Sequence, residues 1–119
     1  MILVDTSVWI EHLRSGDLEL ARLLEDGQIL THPFVTGELA LGNLQRRELI
    51  LSSFQSLPQA QVASHDEMLL FIDQERLFGS GIGYTDAHLL AAVRLTPGVR
   101  LWTHDKRLAS IAVRLGMSA

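Results

Sequence analysis

The chain has 119 residues, 47% hydrophobic and 20% charged, the proportions of one globular domain; this excludes a disordered tail, a fibre and two independent cores. Fourteen acidic against ten basic side chains give a formal charge of −4, so the molecule as a whole repels a phosphate backbone, and a nucleic-acid partner requires clustered basic residues or intervening cations. The absence of cysteine excludes a disulfide framework, a zinc ribbon and thiol catalysis.

The first residues carry no basic stretch before an apolar run, and no apolar run approaches the roughly 20 residues that span a bilayer. A soluble cytoplasmic protein with no membrane contact is therefore expected. Ile2 to Val4 is short and wholly apolar, which predicts a strand buried on both faces, central in a parallel sheet and closed by Asp5. Thr6 to Leu13 changes to a helical period, and Leu20, Leu23 and Leu24 before Gly27 predict a second helix with a glycine stop. Gln28 to Thr31 reads as a short strand. Pro33 can open a helix in which Phe34, Leu41 and Leu44 are the buried positions around Glu38, and a further helix is expected from Arg46 to Phe54.

Gln61 to Ala63 is a candidate third strand. Ser64 and Glu67 have capping-box spacing ahead of Met68, Leu69, Phe71 and Ile72, in a helix expected to end near Phe78. Gly79, Gly81 and Gly83 follow a helical stretch rather than a strand, so they read as a flexible connection and not as a dinucleotide-binding loop. Thr85 to Leu95 is apolar on nearly every side, as in a helix packed deep in a small domain. Val99 to Trp102 is the last strand, and Leu108, Ile111, Ala112 and Leu115 follow at i, i+3, i+4 and i+7. Strands alternating with helices define an α/β domain with a mainly parallel sheet.

In such sheets, ligands lie beyond the carboxyl ends of the strands. Asp5 ends the first strand, Asp105 follows the last, Asp86 opens the most buried helix and Glu38 lies in the helix begun at Pro33. Taken singly, Asp86 and Asp105 can be simple helix caps. Glu38 stands among Val35, Leu39, Ala40 and Leu41, where a carboxylate is costly unless paired or bound to metal. Asp5, with only Thr6 and Ser7 as local polar company, is expected to need a partner from elsewhere. Clustered carboxylates repel and raise one another's pKa, a conflict that a hard divalent cation removes. Oxygen-only ligands favour Mg²⁺ or Mn²⁺ over zinc, in outline a phosphodiester-cleaving site.

Residues 1–10 (Met-Ile-Leu-Val-Asp-Thr-Ser-Val-Trp-Ile), 35–40 (Val-Thr-Gly-Glu-Leu-Ala), 81–91 (Gly-Ile-Gly-Tyr-Thr-Asp-Ala-His-Leu-Leu-Ala) and 101–108 (Leu-Trp-Thr-His-Asp-Lys-Arg-Leu) resemble, in order, the motifs of PIN-domain ribonucleases. The likeness is closest to the VapC toxins of type II toxin-antitoxin systems and covers residues 1–119 as a single PIN domain. It implies a three-layer α/β/α domain around a mainly parallel sheet. It implies a toxic endoribonuclease dependent on Mg²⁺, with Mn²⁺ as the alternative, acting on RNA through metal-activated water. It also implies inhibition by a cognate VapB-type antitoxin. Exposed apolar surface on a small member of this family suggests a homodimer. Asp5, Glu38, Asp86 and Asp105 match the acidic quartet as catalytic and metal-binding residues, and Thr6, Ser7 and Thr103 match the polar positions beside it. Asp5 and Asp86 are the leading ligands; Glu38 and Asp105 ligate directly, act through water, or position the attacking water.

Weaker signals have competing explanations. His104 adjoins Asp105 and can donate to RNA phosphate or the leaving oxygen, or simply lie on the surface. His88 suits a structural hydrogen bond as well as catalysis, while His12, His32 and His65 show no ligand spacing. The adjacent basic pairs, Arg46 with Arg47 and Lys106 with Arg107, can guide RNA or be solvated faces. Trp9 and Trp102 read as core. A phosphoacceptor domain is disfavoured because Thr-Ser follows Asp5 where a second acid is required. A catalytically silent RNA- or protein-binding module of the same fold is the remaining alternative, and retention of all four acids argues against it.

Overall fold

The computed structural model describes residues 1–119. Strand β1 (Ile2–Val4) is central, with β2 (Ile29–Leu30) and β3 (Arg100–Trp102) parallel on either side. Ile2 and Leu3 pair with Ile29 and Leu30 on one edge; Ile2, Leu3 and Val4 pair with Arg100, Leu101 and Trp102 on the other. Leu3 and Val4 are fully buried, the burial on both faces that their uninterrupted apolar run predicts. Single parallel bridges extend the sheet at each edge, from Thr31 to Gln59 and from Leu101 to Ser118.

Seven helices cover this sheet in a three-layer α/β/α arrangement: α1 (Thr6–Ser15), α2 (Leu18–Glu25), α3 (Pro33–Leu41), α4 (Arg47–Ser56), α5 (His65–Gln74), α6 (Tyr84–Leu95) and α7 (Lys106–Arg114). Helix α3 packs against α1 and α4, whereas α5 packs on α6, which lies against β3. Helix α6 buries seven consecutive residues, Ala87 to Val93, so it has no solvent face over that stretch. Helix α7 shows the opposite pattern, with Leu108, Ile111 and Ala112 inward and charged residues outward. No helix is long and apolar enough to cross a membrane.

Three local expectations need correction. Gln61 to Ala63 is not a strand: pairing falls two residues earlier, where Thr31 N–H donates to Pro58 O (2.9 Å) and Ala60 N–H donates to Thr31 O. On the partner side Thr31 is followed by His32, which caps α3, and by Pro33, which has no N–H to carry the pairing on toward Gln61–Ala63, and Val62 is 42% exposed. In α3 the buried positions are Val35 and Leu39, one helical turn apart, while Leu41 is 90% exposed and Leu44 lies beyond the helix. Helix α5 stops at Gln74 rather than near Phe78, because Arg76 adopts a left-handed φ of 55° and Leu77 N–H closes back on Ile72 O (2.9 Å).

Candidate active site

The carboxyl end of β1 delivers Asp5 to the sheet edge, where its backbone N–H donates to Trp102 O (2.9 Å) and locks it to the end of β3. The side chain is buried. Its Oδ2 accepts hydrogen bonds from Ser7 Oγ (2.8 Å) and Thr103 Oγ1 (2.7 Å), while Oδ1 accepts none from the protein. Ser7 is thus a local partner that the sequence was not expected to supply. Both hydroxyls are held in turn: Ser7 Oγ accepts from the His104 N–H and Thr103 Oγ1 from the Asp105 N–H, each at 3.0 Å. Because every donor in this chain is itself oriented, the Asp5 carboxylate is fixed without any ion pair.

Glu38 lies on the exposed side of α3, not among the apolar residues around it in sequence. The helix turns it away from Val35 and Leu39 and toward Thr6, whose hydroxyl donates to Oε1 at 2.6 Å. Asp105 is the N-cap of α7, its Oδ1 accepting from the Leu108 N–H (2.9 Å). The cap role and the site role therefore coincide in one side chain, a carboxylate having a second oxygen to offer. Asp86 sits in the first turn of α6, partly buried, and its carboxyl is held above the ordinary carboxylate range. Burial is the main cause. The charge of Asp5 follows, Asp105 and Glu38 add to it, and the Gly83 backbone pulls the other way. The structure thus brings Asp5, Glu38 and Asp105 within electrostatic reach of Asp86.

This donor set fits a hard divalent cation. Asp5, Glu38 and Asp105 each commit one oxygen to a protein hydrogen bond and keep the other uncommitted, and Asp86 carries the like-charge conflict that a cation relieves. No three of the acids converge closely enough to form a cation cage by themselves.

The nitrogen and basic candidates divide. His88 is 3% exposed and packs its ring between Phe34 and Tyr84, with centroids 4.5 and 4.6 Å away, as a core residue. His32, fully buried, caps α3 by accepting the Phe34 N–H at Nδ1 (3.0 Å), and burial followed by the neighbouring His88 lowers its pKa to about 4. Trp9 is core, set edge-on to Phe54, but Trp102 is only partly buried and lies edge-on to His104. His104 is exposed, with Nε2 3.5 Å from Glu11 Oε2. Lys106 and Arg107 occupy the exposed first turn of α7, next to the acids. Arg46, at a left-handed φ of 53°, caps the start of α4, and Arg47 reaches back toward Gly42 O.

A cleft of about 560 Å³ opens beside Glu38 between α1, α3 and the start of α4. Ile10, Leu13, Leu39, Leu44 and Ile50 give it apolar walls, and Arg14 and Arg46 are its cations. Arg14 was missed in the sequence; the available signal was its place four residues after Ile10 on the same helical face.

The site and fold meet in a known class. The chain belongs to the PIN-domain family, whose family model matches residues 2–114. Ribonuclease VapC32 of Mycobacterium tuberculosis, in each of two strains, is 48% identical to it over 118 residues, which is 99% of this chain and 95% of the relative. Identity at that level over nearly the whole of both proteins places the chain among the VapC ribonucleases of the family.

Proposed function

We propose that this protein is a toxic endoribonuclease of the cytoplasm that hydrolyses RNA with water, using Mg²⁺ or Mn²⁺ at Asp5, Glu38, Asp86 and Asp105. Metal dependence is the general property of PIN-domain VapC nucleases, and the choice of a hard ion follows from an all-oxygen donor set. The observation that carries the reading is Asp5, buried at the carboxyl end of β1 with Oδ2 held by Ser7 and Thr103 and Oδ1 uncommitted; Asp86, whose carboxyl is raised first by burial and then by the charge of Asp5, lies in the same field. A cation held by these carboxylates would supply a bound water of lowered pKa and positive charge for the phosphorane-like transition state.

The protein's own part is positioning. Ser7 and Thr103 hold Asp5 Oδ2 and leave Oδ1 uncommitted, so that Asp5 and Asp86 would be the two carboxylates to hold a cation. Glu38, steadied by Thr6, and Asp105, steadied by the α7 N-terminus, orient the attacking water through their remaining oxygens. Arg46, Arg47 and Lys106 supply the local positive charge that draws RNA to a molecule of net −4, and His104 is placed to donate a hydrogen bond to its phosphate.

A VapB-type antitoxin is the partner. Its segment lies along the apolar cleft that ends at Glu38, and an Arg from it pairs with the acids, while apolar contact with Ile10, Leu13 and Ile50 provides most of the affinity. Leu69, Leu70, Phe78 and Tyr84, all exposed on the packed α5–α6 pair and its connection, are the surface through which two copies form a homodimer.

Cleavage of RNA by the purified protein tests this reading. Turnover should require Mg²⁺ or Mn²⁺ and stop with excess chelator; turnover that survives both chelation and Asp5→Asn overturns it.

A further inference from the structure

The connection before α6 has a defined shape, and one side chain lies across it. Gly81 has a φ of +87°, and the Arg107 side chain runs over its α-carbon so closely that a Cβ there would meet Nη1 at 2.6 Å, Cζ at 3.2 Å and Cδ at 3.3 Å. Nη1 of Arg107 donates to Gly81 O at 3.4 Å. No carboxylate pairs with this guanidinium, although it stands two residues from Asp105. Arg107 belongs to the first turn of α7, which Asp105 caps; Gly81 lies two residues before Gly83, which caps α6 ahead of Asp86. The side chain therefore joins the two helix starts that carry half of the acidic set.

We infer that Arg107 is a positioning residue that clamps the Gly79–Gly83 connection onto α7 and so sets the placement of Asp86 against Asp105, rather than a contact to the RNA backbone. The inference rests on the nuclease reading of the site. Glycine at 81 serves the clamp twice, by accepting a left-handed φ and by leaving the α-carbon face bare for the guanidinium. Loss of the clamp leaves the acids in place but loosens their mutual geometry, and a displacement of about 1 Å at a reacting centre can cost on the order of a hundredfold.

The experiment compares wild type, Arg107→Ala, Gly81→Ala and the double variant in RNA cleavage, salt dependence and amide exchange. A clamp predicts that Arg107→Ala lowers kcat about 10- to 100-fold with KM for RNA changed less than about twofold and the salt slope of RNA binding unchanged. Gly81→Ala expels the guanidinium without removing its charge and also strains the +87° backbone, so it should lower kcat at least as much as Arg107→Ala, and the double variant should be no worse than Gly81→Ala alone. Exchange at the Ala87 amide, which donates to Gly83 O in the opening turn of α6, should quicken in Arg107→Ala. A phosphate contact predicts instead that KM rises, the salt slope falls by about 0.7 and exchange stays as in wild type, which would overturn the clamp. Unchanged kcat with unchanged exchange overturns it as well. Should wild type fail to cleave RNA under any metal condition, the nuclease reading falls, and the exchange measurement still decides whether Arg107 holds the connection.

Discussion

Asp5 is a buried carboxylate held at one oxygen by two hydroxyls, with the other oxygen uncommitted. Asp5→Asn keeps the shape and one acceptor for Ser7 and Thr103 but loses the charge, so cleavage should fall more than about a hundredfold while the circular dichroism spectrum and cooperative unfolding persist. Loss of the fold would instead make Asp5 a structural residue. Asp86 gives the complementary test. Its carboxyl binds a proton more tightly in the folded chain than in the unfolded one, so the metal-free protein loses stability as pH rises from the ordinary value of 3.8 through the raised folded value. Asp86→Asn removes that loss and should raise the melting temperature in chelator at pH 7 while abolishing cleavage; a lower melting temperature would show that burial and repulsion do not dominate there. The placement of the four acids, at a strand end, at two helix starts and within α3, was legible from strand ends and motif order. The surroundings of Glu38 were not, since apolar sequence neighbours do not share its helical face: Val35 and Leu39 turn inward and Glu38 turns out to Thr6.

Helix boundaries were legible where a side chain fixes them and illegible where the backbone does. The Ser64–Glu67 capping box forms as its spacing predicts, and Gly27 ends α2 with a φ of 67°. Arg76 makes the same left-handed stop after α5 with no glycine to announce it, which is why the expected end near Phe78 overshot. The cap of α3 is the least expected, a fully buried imidazole. His32 must stay neutral at Nδ1 to accept the Phe34 N–H, and its pKa of about 4 against an ordinary 6.5 means that the unfolded chain binds the extra proton first. Stability from this group is complete above pH 6.5 and is lost as pH falls toward about 4, roughly 3 kcal/mol in all. His88, lowered by burial and by His65, adds in the same direction. His32→Asn keeps a cap acceptor without a titrating group, so its unfolding free energy should decline less steeply than wild type across pH 6.5 to 4; parallel curves would assign the acid sensitivity elsewhere.

At the scale of the whole molecule, helices α5 and α6 and their connection expose Leu69, Leu70, Phe78 and Tyr84, with Phe78 66% and Leu70 58% exposed. Wild type should scatter light as a dimer at micromolar concentration, and Phe78→Glu should scatter as a monomer; a wild-type monomer with full activity would refute the homodimer. The α/β class and the central place of β1 were legible because parallel strands buried on both faces leave an uninterrupted apolar signature. The outer bridges at Gln59 and Ser118 were not, a single paired residue leaving no periodicity to detect. The bond from Thr103 to Asp5 crosses 98 positions of sequence and joins the first strand to the last. A ribosome must therefore pass residue 103 before Asp5 can meet its second hydroxyl. At about 5 to 20 residues per second, the first strand waits roughly 5 to 20 seconds after its own synthesis for the segment that fixes its carboxylate.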